Sequence, residues 1–173
     1  MAMRILLHKS GPEIKVFVSH KKEDKPVALH VADYLKQRGL HAYIDVLDDS
    51  ITSSNVTERI VANLRDSTHL IVIYSDNTKY SEWVPFELGV GYERNEGIGI
   101  LKCDFTGRLP EYLHEFPVME DEKDLDKFIL LCKKPEVSVF DEACNEDTYG
   151  GSRYARRFIN DLKKELTGGK YEY

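Results

Sequence analysis

Two residues in the segment 81–94 have the types and spacing to carry chemistry: Trp83, the only tryptophan of the chain, and Glu87. Residues four apart lie on the same face of a helix, so a helix here makes the indole and the carboxylate neighbours. An indole beside a carboxylate lowers the local dielectric and favours a raised carboxyl pKa. Such a group suits a general acid, a general base or an electrostatic stabiliser. By spacing alone, a core tryptophan and a solvated glutamate on an ordinary helix explain the pattern at least as well.

The elements that would position this pair alternate between strand and helix. Short apolar runs rich in β-branched residues predict strands at 14–19, 41–45, 69–74 and 99–102. Helical periodicity follows the first three strands: from Asp24 to a glycine C-cap at Gly39, from about residue 55 to residue 64, and over 81–94. Alternation with connections of this length predicts right-handed βαβ crossovers. The fold class is therefore α/β, a doubly wound parallel sheet with helices on both faces.

A ligand crevice in such a sheet lies at the carboxyl ends of the strands. That rule selects the segments 19–23, 45–54, 75–83 and 103–107. Residues in three of these segments have an ordinary alternative: Lys21 to Glu23 is equally well a solvated charge run, and Asp45 equally well a capping or turn residue. Ser75 and the two polar residues after it could bind polar ligand atoms, although a simple turn explains them more economically.

The C-terminal seventy residues contain fewer signals. A helix is compatible with 125–132, and a helix is strongly predicted over 153–166, with apolar residues on one face. The stretch 136–151 resembles a loop. We therefore divide the chain into an N-terminal extension (1–13), a central domain (14–135), and a C-terminal loop and helix packed on it (136–173).

Composition excludes several classes of protein. The 173 residues include 24 basic and 30 acidic side chains, a net charge of −6 that argues against a nucleic-acid binder with a basic surface. No apolar run approaches the roughly 20 residues of a membrane span, and Met1 to Ser10 lacks the pattern of a signal peptide. The three cysteines, without CxxC spacing, indicate reduced thiols. A cytoplasmic location without membrane contact is the expectation.

Metal and phosphate-loop chemistry also lack their signals. The six histidines show no HxxxH or HExxH spacing, so we predict no catalytic metal. No glycine-rich loop follows the first strand, which argues against a Rossmann dehydrogenase or a P-loop NTPase.

Four segments, taken in order, resemble the Toll/interleukin-1 receptor (TIR) domain family. They are 16–20 (VFVSH), which is similar to a first strand ending Phe-Ile-Ser-Tyr; 39–45 (GLHAYID); 70–75 (LIVIYS); and 81–88 (SEWVPFEL), which carries the family's Trp-x-x-x-Glu signature. The resemblance covers roughly residues 14 to 105 and implies the family's fold, a flavodoxin-like doubly wound sheet. His20 departs from the pattern, because the family usually has tyrosine there.

The resemblance implies an activity. In the enzymatic branch of the family the signature glutamate cleaves NAD at the nicotinamide–ribose bond, so Glu87 becomes the catalytic residue and NAD the substrate, with no other cofactor. The segment after the first strand is placed beside the ribose and phosphates, where two lysines could hold a pyrophosphate. The implied binding residues are Ser19, His20, Lys21, Lys22, Asp45, Ser75 and Trp83.

A small TIR chain also resembles bacterial immune-signalling components, including those of Thoeris-type antiphage defence. That resemblance implies a homo-oligomer whose ADP-ribose-derived product activates a separate effector. Two alternatives stay open. One is a non-enzymatic TIR interaction module, which would tolerate loss of Glu87. The other is an enzyme similar to nucleoside deoxyribosyltransferases, which would act on deoxynucleosides and ignore NAD.

Overall fold

One parallel sheet organises the computed structural model, which describes residues 13–44, 56–94, 96–134 and 153–168. Its strands are β1 (Lys15–Ser19), β2 (His41–Ile44), β3 (His69–Tyr74), β4 (Gly97–Lys102) and β5 (Val118–Met119). Within the described residues the order is β2-β1-β3-β4-β5, and all adjacent pairs are parallel. Strand β1, the first in the sequence, therefore lies inside the sheet, and later strands lie on both sides of it, as in other doubly wound sheets.

Helices cover both faces of this sheet. They are α1 (Lys25–Gln37), α2 (Val56–Arg65), α3 (Trp83–Glu93), α4 (Glu122–Cys132) and α5 (Arg153–Thr167). Successive strand residues point to opposite faces, so Val16 and Val18 pack with α1, α4 and α5, whereas Phe17 packs with α2 and α3. The predicted fold class is confirmed. Among the described helices, none is both long and apolar enough to cross a bilayer.

The end of α1 follows its predicted glycine signal. Gly39 adopts a φ of 77°, in the left-handed region that favours glycine. Its N–H donates to the Lys36 carbonyl over 3.0 Å, and the Leu40 N–H donates to the Leu35 carbonyl over 3.1 Å. These bonds satisfy carbonyl groups that the end of a helix leaves without partners, and they turn the chain directly into β2.

Several predicted boundaries were inaccurate, among them the start of α4, which begins at Glu122 and not at residue 125. Strand β4 begins at Gly97, two residues before the predicted start at residue 99, and α3 runs over Trp83–Glu93 instead of 81–94. The two-residue strand β5 was not predicted. Glycines weaken strand signals in a sequence, but here they are needed for packing. A Cβ on Gly99 would lie 2.8 Å from the Met119 side chain.

Helix α5 lies against β4 and α4 and is tied to the sheet through a buried histidine. His69, at the start of β3, has its Nε2 2.7 Å from the Tyr154 hydroxyl and its Nδ1 2.8 Å from the Thr68 hydroxyl. The Phe158 ring packs against the imidazole with centroids 5.0 Å apart. The predicted domain boundaries at 13 and 135 stay predictions, and the predicted loop 136–151 lies outside the described residues.

Alanine at Gly97 should destabilise the protein, because its Cβ would lie 2.6 Å from His69 Cδ2 and 3.0 Å from Phe158 Cδ1. Both rings are held by their neighbours, so we expect an overpacking loss of about 1–3 kcal/mol in the free energy of unfolding. Gly89→Ala is the matched control: Gly89 is an exposed residue inside α3 with open space around it. It should gain up to about 1 kcal/mol. Urea unfolding of both variants checks the opposite signs, and destabilisation by both would contradict the packing explanation.

Candidate active site

The sheet brings three of the predicted site segments, those after β1, β3 and β4, to one edge. Strands β1 and β3 are adjacent and parallel, with Ser19 opposite Val72, so the chain leaves both strands on the same side. Strand β2 pairs with β1 through Ile44 and Val18 and ends at that edge too. Asp45 and the following predicted segment to residue 54 lie outside the described residues. This carboxyl edge is where an α/β sheet of this class binds ligands.

Glu87 lies on the inner face of α3. The buried positions of this helix are Val84, Glu87, Leu88 and Gly91, a spacing that defines one helical face. The helix packs on β3 and β1, so this face is directed at the sheet. Glu87 is only 3% exposed, which excludes the solvated glutamate considered from spacing alone.

Trp83 is the first residue of α3 and is half-buried. Its ring meets the Phe86 ring at 87°, with centroids 5.9 Å apart. Ser81 supports the start of the helix, because its hydroxyl accepts a hydrogen bond from the Val84 N–H over 3.2 Å. Trp83 and Glu87 thus share the first two turns of one helix, as the four-residue spacing predicted.

The segment after β1 supplies further polar groups. Ser19 is 1% exposed, and its hydroxyl has no hydrogen-bond partner among the described residues. His20 Nδ1 lies 3.2 Å from the Val18 carbonyl oxygen. Lys21 is half-buried, and Lys22 is exposed in a short 3₁₀ turn. A buried hydroxyl and two lysines therefore stand at the end of β1, where a polar or anionic ligand could meet them.

Asp24 was missed as a site residue; the sequence indicated only that it begins a helix. It does precede α1, but its side chain makes no capping bond to that helix. Its carboxylate instead accepts hydrogen bonds from Ser75 Oγ (2.7 Å), Asn77 Nδ2 (2.7 Å) and Thr78 Oγ1 (3.2 Å). Ser75 is therefore held in a turn, and its predicted ligand contact stays a prediction. A cluster of hydroxyl and amide side chains after a buried strand was the available signal for a buried acid nearby.

The end of β4 contributes a cysteine that is not a nucleophile at neutral pH. Burial raises the pKa of the Cys103 thiol to about 11, and the negative charges of Asp24 and Asp104 add to the shift. Thiolate is the reactive form, so this half-buried group stays protonated. Asp104 adopts a φ of 45°, a strained conformation of the kind found next to functional sites.

A separate cavity of about 500 Å³ lies between α2 and α3. Its lining includes Val61, Arg65, Phe86 and Val90 and, within the described residues, does not include Glu87. Phe86 is exposed and Glu87 buried, so the cavity adjoins the outer side of α3. It is thus distinct from the carboxyl-edge site. In the part of the chain that the structure describes, no group of three or more His, Cys, Asp or Glu side chains could hold a metal ion.

Fold and site together define a flavodoxin-like α/β domain with a buried carboxylate on a helix beside the carboxyl edge of its sheet. The family model of the TIR domain matches residues 16–126. The chain therefore belongs to the TIR domain family.

The individual proteins that this chain resembles are distant relatives. A stretch of 77 residues is 34% identical to a probable 2′ cyclic ADP-D-ribose synthase, TcpO, of Methanobrevibacter olleyae. The match covers 43% of this chain and 22% of that protein, so this chain spans about a fifth of the curated relative's length.

Two solved structures share the fold. The TIR domain of the Toll-related receptor TRR-2 from Hydra magnipapillata aligns with a TM-score of 0.51 and 18% identity, over 64% of this chain and 88% of that one. A metazoan TIR-STING receptor from C. gigas aligns with a TM-score of 0.53 and 20% identity, over 73% of this chain and 42% of that one.

Proposed function

We propose that this TIR domain cleaves NAD at the bond between nicotinamide and ribose, with Glu87 as the catalytic carboxylate. The observation that carries the proposal is the burial of Glu87 on the face of α3 that packs on β1 and β3. Carboxylates are seldom buried this deeply, and this one lies beside the carboxyl edge of the sheet, where a sheet of this class binds ligands. The name of the Methanobrevibacter relative, a probable cyclic ADP-ribose synthase, supports the same chemistry.

Cleavage of this bond requires chiefly a negative charge that is held in a fixed position beside the ribose. Nicotinamide leaves as a neutral base and takes the electron pair of the glycosidic bond with it, and the ribose becomes oxocarbenium-like. A fixed carboxylate stabilises that developing positive charge and can hydrogen-bond the ribose hydroxyls. Glu87, shielded from water by the helix and the sheet, provides such a group without reorganising at the moment of reaction.

The segment after β1 is proposed to bind the remainder of the substrate. The buried Ser19 hydroxyl is proposed to face the ribose, and Lys21 and Lys22 to neutralise the pyrophosphate. His20, Asp45, Ser75 and Trp83 stay proposed contacts. Binding to these groups holds the glycosidic bond next to Glu87. The binding energy of the rest of the substrate thereby raises the rate of bond cleavage.

The product is proposed to be linear or cyclic ADP-ribose. Water attacking the ribose cation gives ADP-ribose and a proton, whereas a nucleophile of the same molecule gives a cyclic product lighter by one water. The relative's name favours cyclisation. A diffusible cyclic nucleotide suits a signal that acts on a separate effector, as in antiphage immunity, and we propose this role together with self-association of the chain.

The test is incubation of the purified protein at high concentration with NAD, followed by chromatography of released nicotinamide and mass spectrometry of the co-product. Nicotinamide together with ADP-ribose or its cyclic form is the expected result. No release at any protein concentration, including with a crowding agent to promote assembly, would leave the non-enzymatic interaction module. Cleavage of deoxynucleosides without cleavage of NAD would instead support the deoxyribosyltransferase alternative.

A further inference from the structure

We propose that Asp24 is a positioning residue: by joining the connection after β1 to the connection after β3, it fixes the start of the helix that carries Trp83 and Glu87. Its effect on catalysis rests on the proposed function, but its effect on the position of α3 does not. Asp24 makes this connection through hydrogen bonds to residues that lie 51 to 54 positions away in the sequence.

The Asp24 carboxylate has three donors, all from one turn. Oδ2 accepts from Ser75 and Thr78, and Oδ1 accepts from Asn77. The carboxylate is 6% exposed, so water competes poorly for these bonds. Hydrogen bonds to a charged acceptor are roughly twice as strong as neutral ones. Asp24 is therefore well suited to hold the whole turn in one place.

The turn is connected to α3 through a short chain of contacts. Thr78 begins a 3₁₀ turn that ends at Tyr80. Its single hydroxyl hydrogen is shared between Asp24 Oδ2, at 3.2 Å, and the Ile73 carbonyl, at 3.0 Å, so the same side chain also anchors the turn to β3. Ser81 follows at once and caps the first turn of α3 through the Val84 N–H. A displacement of the turn would therefore pass directly to the helix start, with Trp83 two residues beyond Ser81.

The candidate site requires these two connections to keep a fixed position relative to each other. Asp24 belongs to the connection after β1, which follows Ser19 and contains the two lysines. The turn that it binds belongs to the connection after β3, which leads to the helix that carries Glu87. The negative charge of Asp24 also raises the pKa of the Cys103 thiol, so its field reaches the end of β4. Asp24 thus lies among the ends of three neighbouring strands, between the proposed binding segment and the proposed catalytic helix.

Two substitutions separate loss of the contacts from loss of the charge. Asp24→Ala removes all three acceptor contacts and leaves the turn without its anchor. Asp24→Asn keeps a carbonyl oxygen for Ser75 and Thr78, and its amide can donate to Asn77 once the Asn77 amide turns over. The asparagine variant should therefore restore most of what the alanine variant loses. Thr78→Val, which removes one donor at similar shape, is the milder version should Asp24→Ala not fold.

The only tryptophan provides a readout independent of activity. Trp83 is at the start of α3, so its emission maximum and its quenching by acrylamide report on the position of that helix. We expect both to change in Asp24→Ala and to return toward the wild-type values in Asp24→Asn. Leu162→Ala is the control for general destabilisation, because Leu162 is fully buried on α5, away from the site. Its Trp83 emission should stay unchanged.

Activity gives the second readout. In Asp24→Ala we expect kcat for nicotinamide release to fall about a hundredfold, since small displacements of reacting groups cost that much, with KM changed far less. Leu162→Ala, compared at a temperature where both variants are folded, should keep wild-type kcat. Equal losses of kcat in the two variants, or an unchanged Trp83 signal in Asp24→Ala, would overturn the positioning role. A wild-type protein that releases no nicotinamide would refute the proposed function, and the Trp83 comparison would still decide the role of Asp24.

Discussion

Glu87→Gln is expected to slow nicotinamide release by roughly a thousandfold, with KM nearly unchanged. Glutamine has the shape of glutamate and its hydrogen-bonding reach, but it carries no negative charge. The substitution therefore removes the interaction that strengthens as the ribose becomes cationic and leaves substrate binding largely intact. A fall in kcat without a matching rise in KM is the kinetic sign of such a loss.

The control for this variant is Glu93→Gln, on the same helix. Glu93 is the last residue of α3 and is exposed, so the same chemical change there should leave kcat within about twofold of wild type, as expected for a surface position. Far-ultraviolet circular dichroism and the thermal midpoint establish that both variants are folded. Full activity in folded Glu87→Gln would remove Glu87 from the catalytic role and leave its burial as a structural property.

A second large effect is expected at Glu96, at the opposite edge of the sheet. Burial raises the pKa of this carboxyl group to about 7, against a smaller lowering by Arg94, whose Nε lies 3.6 Å from the carboxylate. The side chain is 4% exposed, and neither oxygen has a hydrogen-bond partner among the described residues. Ionisation at this position is therefore costly to the folded state.

The raised pKa makes stability depend on pH. The unfolded chain releases the Glu96 proton near pH 4.5, whereas the folded protein keeps it until about pH 7. Between these values the folded state binds the extra proton, so stability falls as pH rises, by about 1.4 kcal/mol per unit and about 3 kcal/mol in all. Glu96→Gln should therefore stabilise the protein by up to about 3 kcal/mol at pH 8 and by little at pH 4.5.

His69 acts with the opposite sign. Burial lowers the pKa of its imidazole from 6.5 to about 4, so its contribution is complete above pH 6.5 and is lost as pH falls toward 4. From pH 4.5 to 6.5 the opposite contributions of Glu96 and His69 to the pH dependence of stability nearly cancel in the wild type. In Glu96→Gln only the His69 contribution remains, so the free energy of unfolding of this variant should rise with pH over that interval.

Urea unfolding at pH 4.5, 6.5 and 8, followed by Trp83 fluorescence and circular dichroism, measures both slopes. Glu93→Gln is the control again, because it makes the same chemical change at an exposed position and leaves the buried Glu96 in place. A constant difference between Glu96→Gln and wild type at all three pH values would show that Glu96 does not titrate abnormally in the folded protein.

Much of the fold could be predicted from the sequence because its signals are local. The run Leu70–Ile73 is apolar throughout, and all six residues of β3 are buried in a central strand. Once the segment 81–94 is recognised as helical, the spacing of Trp83 and Glu87 places them one turn apart, because the pitch of a helix is the same in every protein. The glycine at position 39 ends α1 for the same kind of reason. Alternation of strand and helix then restricted the sheet to a doubly wound arrangement.

The tertiary structure decided what depends on which strands are neighbours. Because β1 lies beside β3, Asp24 meets Ser75, a contact that no local pattern encodes. The start of β4 at Gly97 likewise depends on the imidazole and phenyl rings that fill the space a side chain would take. Burial of Glu87 and Glu96 follows from the packing of α3 and β4, whereas periodicity alone left a solvated glutamate possible. Sequence thus determined the elements and the type of chemistry, and long-range packing determined which polar groups lie together away from water.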